Sequence, residues 1–229
     1  MKTIGLLGGM SWESTASYYR IINEGMRERL GGLHSGRIIL YSVEFGEVEA
    51  RMAAGDWDAV LAVLVESARK VETAGADFIL VCTNTMHKLV PAVQESISIP
   101  ILHIGDTAAE VLAVDGVRCA GLLGTLPTMQ EDFCRERFER RGIRVVIFGR
   151  TDMEFVHRAI FSELCAGIFK DESRERFREI ISGMAAEGAE GIVLGCTEIP
   201  LLLRPEHSEL PLYDTTEIHA LAAVGKALA

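Results

Sequence analysis

The chain has 229 residues, 48% hydrophobic and 24% charged, enough for one large α/β domain or two of about 110 residues each. That composition excludes disordered and collagen-like chains. A formal net charge of −10, from 23 basic against 33 acidic residues, excludes a protein that grips nucleic acid through a phosphate-neutralising surface.

The opening MKTIGLLGGM is short and broken by Gly8-Gly9, so it reads as a first buried strand (3–8) and not as a signal peptide. A helical pattern follows over 12–30, then a strand at 37–43, a helix at 57–74, a strand at 77–82 and a helix at 84–96. A strand at 100–104 and a helix at 107–114 lead into the second half. There the order is strand 118–124, helix 128–141, strand 144–148, helices 152–166 and 172–187, strand 191–196 and helix 215–228. Most of the strands are apolar at consecutive positions, as strands buried on both faces should be. The alternation predicts an α/β fold of mostly parallel sheets flanked by helices.

No apolar run approaches the ~18 residues of a membrane span. The basic residues Arg135, Arg137, Arg140, Arg141 and Arg144 are interleaved with Glu131, Glu136 and Glu139, the pattern of a solvated helix face. Five cysteines form an odd set without a CxxC pair, which argues against a disulfide framework and a zinc site and for a reducing cytoplasm.

An internal repeat organises the chain. Gly5-Leu6-Leu7-Gly8 recurs as Gly121-Leu122-Leu123-Gly124, and the segment 75–81 recurs, 113 residues later, as 188–194. Ile99-Pro100-Ile101 ahead of Asp106-Thr107 resembles Leu210-Pro211-Leu212 ahead of Asp214-Thr215. Two pseudo-symmetric domains follow, 1–104 with 212–229 and 105–211, the last helix packing back on the first. The 113-residue offset sets Cys82 opposite Gly195 and Thr83 opposite Cys196. Side chains alternate along a strand, so Thr83 is the equivalent of Cys196, although Cys82 looks the more natural partner. Ligands bind outside the carboxyl ends of such strands, which places the active site in an interdomain cleft with Thr83 and Cys196 on opposite sides of one small molecule.

Three motifs carry chemistry. The glycine turn of IGLLGGMSWEST lacks GxGxxG spacing, so a dinucleotide site is disfavoured; free N–H groups near Met10 and Ser11 suit a small anion, or the segment is a plain tight turn. In VCTNTMHK, Thr83, Asn84 and Thr85 either cap the next helix or bind an α-carboxylate. His87, one helical turn after Thr83, is a structural histidine or orients or protonates a group there. In GCTEIP, Cys196 sits at a strand end before a helical turn, where exposed N–H groups lower a thiol's pKa. Cys119, Cys134 and Cys165 lie in apolar or helical patterns and suit small core hydrophobes.

With the LLGGM start, C-T-N-T-M-H-K, G-C-T-E-I and the two-half repeat, the chain resembles the aspartate/glutamate racemase superfamily over nearly its whole length. It is most similar to the cofactor-independent L-aspartate/glutamate, or broad-specificity, subgroup. The resemblance implies a homodimer and a racemase that needs no cofactor, no metal and no nucleotide. It implies two cysteines on opposite faces of the substrate, one abstracting the Cα proton and the other returning one. It also implies substrate contacts at Met10, Met52, Thr83, Asn84, Thr85, Thr197 and Glu198.

Three positions depart from the family pattern. Thr83 stands where the first-half motif has cysteine; Cys165 matches a lysine that holds the distal carboxylate; and Arg51 or Met52 occupies the substrate-contacting loop. Ser11, Arg51, His87, Thr125 and Cys165 complete the candidate set. Thr83 has no base strength near pH 7, so the expected enzyme pairs it asymmetrically with Cys196, whose thiolate should titrate towards neutrality, while Thr83 delivers a proton through water or His87. The alternatives are a decarboxylase, maleate isomerase or hydantoin racemase on the same architecture, or a non-catalytic amino-acid-binding protein.

Overall fold

Ile4-Gly-Leu-Leu-Gly8 carries no polar side chain, and in the computed structural model, which describes residues 1–229, every residue of this strand is buried. It is β1. The chain continues through α1 (Trp12–Leu30), β2 (Ile38–Ser42), α2 (Phe45–Ala53), α3 (Trp57–Thr73) and β3 (Phe78–Val81). A 3-10 turn (Thr85–Leu89), α4 (Val90–Gln94) and β4 (Ile101–Leu102) follow. The same order then returns as α5 (Ile104–Val114), β5 (Cys119–Gly124), α6 (Leu126–Gln130), α7 (Asp132–Glu139), β6 (Arg144–Val146) and α8 (Arg150–Ser162). After a 3-10 turn (Leu164–Ala166) come α9 (Asp171–Ala186), β7 (Gly191–Gly195), α10 (Ile199–Leu202), a 3-10 turn (Pro205–His207), β8 (Leu212–Asp214) and α11 (Thr215–Leu228).

Two four-stranded parallel sheets result, ordered β2-β1-β3-β4 and β6-β5-β7-β8. The identical order is the structural form of the sequence repeat. The chain divides into Met1–Ile104 with His219–Ala229, and Gly105–Ile218. Leu212–Asp214 pairs with Ile192–Leu194 of β7, so the return to the first unit falls at 218/219, where the sequence placed it at 211/212.

Each unit buries its sheet between helices. In the first, Leu7, Ile79 and Val81 pack with Val60, Leu64 and Val71 of α3, while Ile4, Leu6 and Leu80 pack with Tyr18 and Ile22 of α1 and with Ala220, Ala223 and Val224 of α11. In the second, Leu123, Ile192 and Leu194 meet Val156, Phe177 and Ile181, and Ala120, Leu122 and Val193 meet Leu112 and Phe138. Each such aliphatic burial contributes roughly 1.5–3 kcal/mol.

α2 and β8 are among the elements that lie outside the sequence expectation. α2 is nine residues long and is capped by Glu44, whose carboxylate accepts from Gly46 N (3.1 Å) and Glu47 N (2.7 Å). β8 is a three-residue edge strand just after Pro211, where the missing N–H costs no ladder bond.

Candidate active site

In the first unit the carboxyl ends of β1 and β3 carry the candidate residues. Gly9 turns the chain with φ +90°; a Cβ there would lie 2.3 Å from the Val43 carbonyl oxygen, so only glycine fits. Gly9 N donates to Thr15 Oγ1 (2.8 Å), and Thr15 Oγ1 donates to the Ser11 carbonyl (2.8 Å). Met10 is buried, and Ser11 is the N-cap of α1, accepting from Ser14 N at 3.3 Å. Arg51 and Met52 diverge. Met52 packs into the apolar cluster that holds Met10, whereas Arg51 pairs with Glu47 at 3.9 Å and lines a cavity of ≈ 400 Å³ with Tyr41 and Val43.

Past β3, Cys82 N still donates to the Leu7 carbonyl, so Cys82 continues the strand and its side chain joins the core beside Leu80 and Phe78. Burial pushes its thiol pKa well up. Thr83 is half-buried, Asn84 is buried and Thr85 opens the 3-10 turn. Asn84 occupies the N-cap of that turn and makes no side-chain cap hydrogen bond. His87 has no solvent exposure; its Nδ1 lies 2.8 Å from the Thr83 carbonyl oxygen and its Nε2 3.1 Å from Ile104 N. Both ring nitrogens are spent on the backbone, so the expected proton relay through His87 does not fit this geometry.

In the second unit Cys196 follows β7 directly and is 7% exposed. Its Sγ donates to Glu198 Oε2 at 3.0 Å, and Thr197 Oγ1 donates to the same oxygen at 2.7 Å. Burial, then the Glu198 charge, hold the Cys196 pKa well above its ordinary value. The sequence expectation of a thiol drawn towards neutrality is thereby corrected. α10 has a single turn, and the nearest strong charge is a carboxylate, which disfavours a thiolate. Cys165 packs half-buried against the apolar cluster that includes Cys196.

Thr125 N-caps α6, with its hydroxyl 3.1 Å from that of Thr128. His157 on α8 accepts from Leu126 N at 3.2 Å and so fixes the turn beside Thr125; burial lowers its pKa. No local pattern announces His157, because the contact joins positions 31 residues apart.

Strand register fixes the correspondence between the two ends. Leu7 pairs with Val81, and Cys82 N bonds the Leu7 carbonyl, which sets Gly8 level with Cys82. Gly124, the repeat partner of Gly8, pairs with Gly195. Cys82 therefore corresponds to Gly195 and Thr83 to Cys196. Gly124 and Gly195 are both glycine because a Cβ on either would lie 2.9 Å from the other strand's backbone oxygen.

Comparison with known proteins gives one family. Residues 7–223 match the family model of Asp/Glu/hydantoin racemases. The chain is 24% identical to the broad specificity amino-acid racemase RacX of Bacillus subtilis, over 99% of this chain and 98% of that one. A solved structure of a candidate Asp/Glu racemase from Yersinia pestis superposes with a TM-score of 0.94 at 47% identity, covering 100% of both chains. An aspartate racemase homologue from Pyrococcus horikoshii OT3 gives 0.87 at 34% identity, again over 100% of both.

Proposed function

The chain belongs to the Asp/Glu/hydantoin racemase family, and from that premise we propose that it inverts the α-carbon of an amino acid with Thr83 and Cys196 serving opposite faces. It is an isomerase of the amino acid racemase type. The observation that carries the finer reading is the bond from Cys196 Sγ to Glu198 Oε2 at a position equivalent, by register, to Thr83.

The Cα–H bond is a very weak acid, so carbanion character needs donors already in place. Thr83, Asn84 and Thr85 supply them for the α-carboxylate. The resting thiol passes its proton to Glu198, and the thiolate takes the Cα proton, forming S–H as C–H breaks. Water then delivers a proton through the Thr83 hydroxyl, which accepts one as it donates one. The hydroxide left behind and the proton held on Glu198 pass to bulk water on product release, where they combine. Every group ends as it began, without a metal or cofactor in the sequence of steps.

Met10, Met52, Thr197 and Glu198 complete the substrate contacts of this reading, with Ser11, Arg51, Thr125 and Cys165 at its edge. A homodimer and a cytoplasmic setting belong to it too, the second supported by five cysteines without a disulfide. Incubation in D₂O with each enantiomer of an amino-acid panel tests it: Cα deuteration and inversion support it. Tight binding without deuteration would favour an amino-acid-binding protein, the reading that a hydroxyl at position 83 otherwise suits.

A further inference from the structure

His87 and His219 form a buried imidazole pair inside the first unit, with ring centroids 5.7 Å apart, and His103 packs edge-on to His87 at 4.6 Å. Both are fully buried, as is Tyr18. The partners fix the tautomers. An amide donates and a carbonyl accepts, so His87 receives Ile104 N–H at Nε2 and donates from Nδ1 to the Thr83 carbonyl. His219 donates from Nε2 to the Leu102 carbonyl (2.9 Å) and accepts the Tyr18 hydroxyl at Nδ1 (2.8 Å). All four nitrogens are used, and the rings do not converge as metal ligands.

The positions on the chain are telling. Ile104 is the last residue before the chain leaves the first unit, and His219 is the first after it returns. Each crossing is hydrogen-bonded through an imidazole, and one of those imidazoles also grips Thr83. Resting on the racemase reading, we propose that His87 is a positioning residue: its Nδ1–H holds the Thr83 carbonyl and thereby sets the Thr83 hydroxyl for proton delivery. Thr83 follows a strand whose last ladder bond is Cys82 N to the Leu7 carbonyl, and its own N–H turns back to Val81. His87 Nδ1–H thus supplies a side-chain bond that holds that turn, while Nε2 takes the Ile104 amide 17 residues along the chain.

Two variants separate the two bonds. His87→Gln places an acceptor near Nε2 and loses the donor at Nδ1; His87→Asn keeps a donor near Nδ1 and loses the acceptor at Nε2. The readout is Cα–H exchange in D₂O for both enantiomers of the best substrate. His87→Gln should slow exchange of the enantiomer facing Thr83 by about tenfold or more, with the Cys196-facing enantiomer within about twofold and KM unchanged. His87→Asn should restore the slowed rate. An equal fall for both enantiomers in His87→Gln, or no fall, would overturn the assignment. Absence of exchange in the wild type would instead sink the racemase reading. Amide chemical shifts then decide the positioning role: Thr83 to Thr85 must move in His87→Gln and hold in His87→Asn, and unmoved shifts in His87→Gln would overturn it.

Discussion

Cys196 Sγ lies 3.0 Å from Glu198 Oε2, and the same carboxylate oxygen accepts the Thr197 hydroxyl. A thiol donating to a carboxylate is a poised acid–base pair. The carboxylate keeps the resting group protonated, yet provides the destination for its proton once a substrate fills the site and expels water. Glu198 therefore raises the cost of the thiolate at rest and, in the proposed mechanism, supplies the means of forming it.

Glu198→Gln removes the charge that disfavours the thiolate. Cys196 alkylation by iodoacetamide, followed by peptide mass spectrometry, should begin at lower pH in the variant, while burial still holds it above an ordinary cysteine. Turnover should fall about 10²-fold or more, because the proton acceptor is lost. An unmoved alkylation profile would show that Glu198 does not control the thiol.

Cys196→Ala should abolish turnover with the fold intact, whereas Cys82→Ala should act through packing alone. Cys82 sits among Leu80, Phe78 and Ala220, and its loss should cost about 1 kcal/mol of stability. Urea unfolding and turnover measured on both variants check this. Loss of activity in Cys82→Ala at unchanged stability would contradict the register assignment.

Gly9→Ala forces a side chain into a positive φ and against the Val43 carbonyl oxygen at 2.3 Å. The variant should lose about 2–3 kcal/mol in urea unfolding, and its KM should rise as Met10 and Ser11 shift. A variant as stable as the wild type would show that the turn relaxes freely.

His219 has its pKa lowered from 6.5 to about 3, first by burial and then by His87. The unfolded chain binds this proton below about pH 6.5 and the native chain does not, so stability is present above that pH and is lost as pH falls towards 3. The slope from this group is about 1.4 kcal/mol per pH unit. Urea titrations across pH 7 to 4 should show it. His219→Gln, less stable at neutral pH, should have a flatter acid limb; an identical slope would assign the acid sensitivity elsewhere.

The sheets, the repeat and the Thr83–Cys196 equivalence were legible because apolar runs and a fixed offset encode them locally. The helical pattern over 12–30 matches Trp12–Leu30, and the structure adds Ser11 as its cap. α2 was not legible, because its cap is a glutamate that reaches forward to Gly46 and Glu47. β8 escaped as three residues behind a proline. The state of the Cys196 thiol is not legible in the sequence, because it depends on how Glu198 folds back, and neither strand nor helix periodicity reports that. His157 and His219 were invisible for a related reason: their partners, Leu126 and Leu102, are distant in sequence.

The central claim is that Thr83 and Cys196 exchange protons unequally on the two faces of one α-carbon. Cα–H exchange rates in D₂O for both enantiomers of the best substrate test it most directly. One enantiomer should exchange faster than it inverts, its mirror image should exchange slowly, and the equilibrium ratio should stay at one. Thr83→Cys should bring the two rates together, each tenfold of the original gap corresponding to about 1.4 kcal/mol of barrier. Equal exchange rates in the wild type would contradict the account and require a second base other than Thr83.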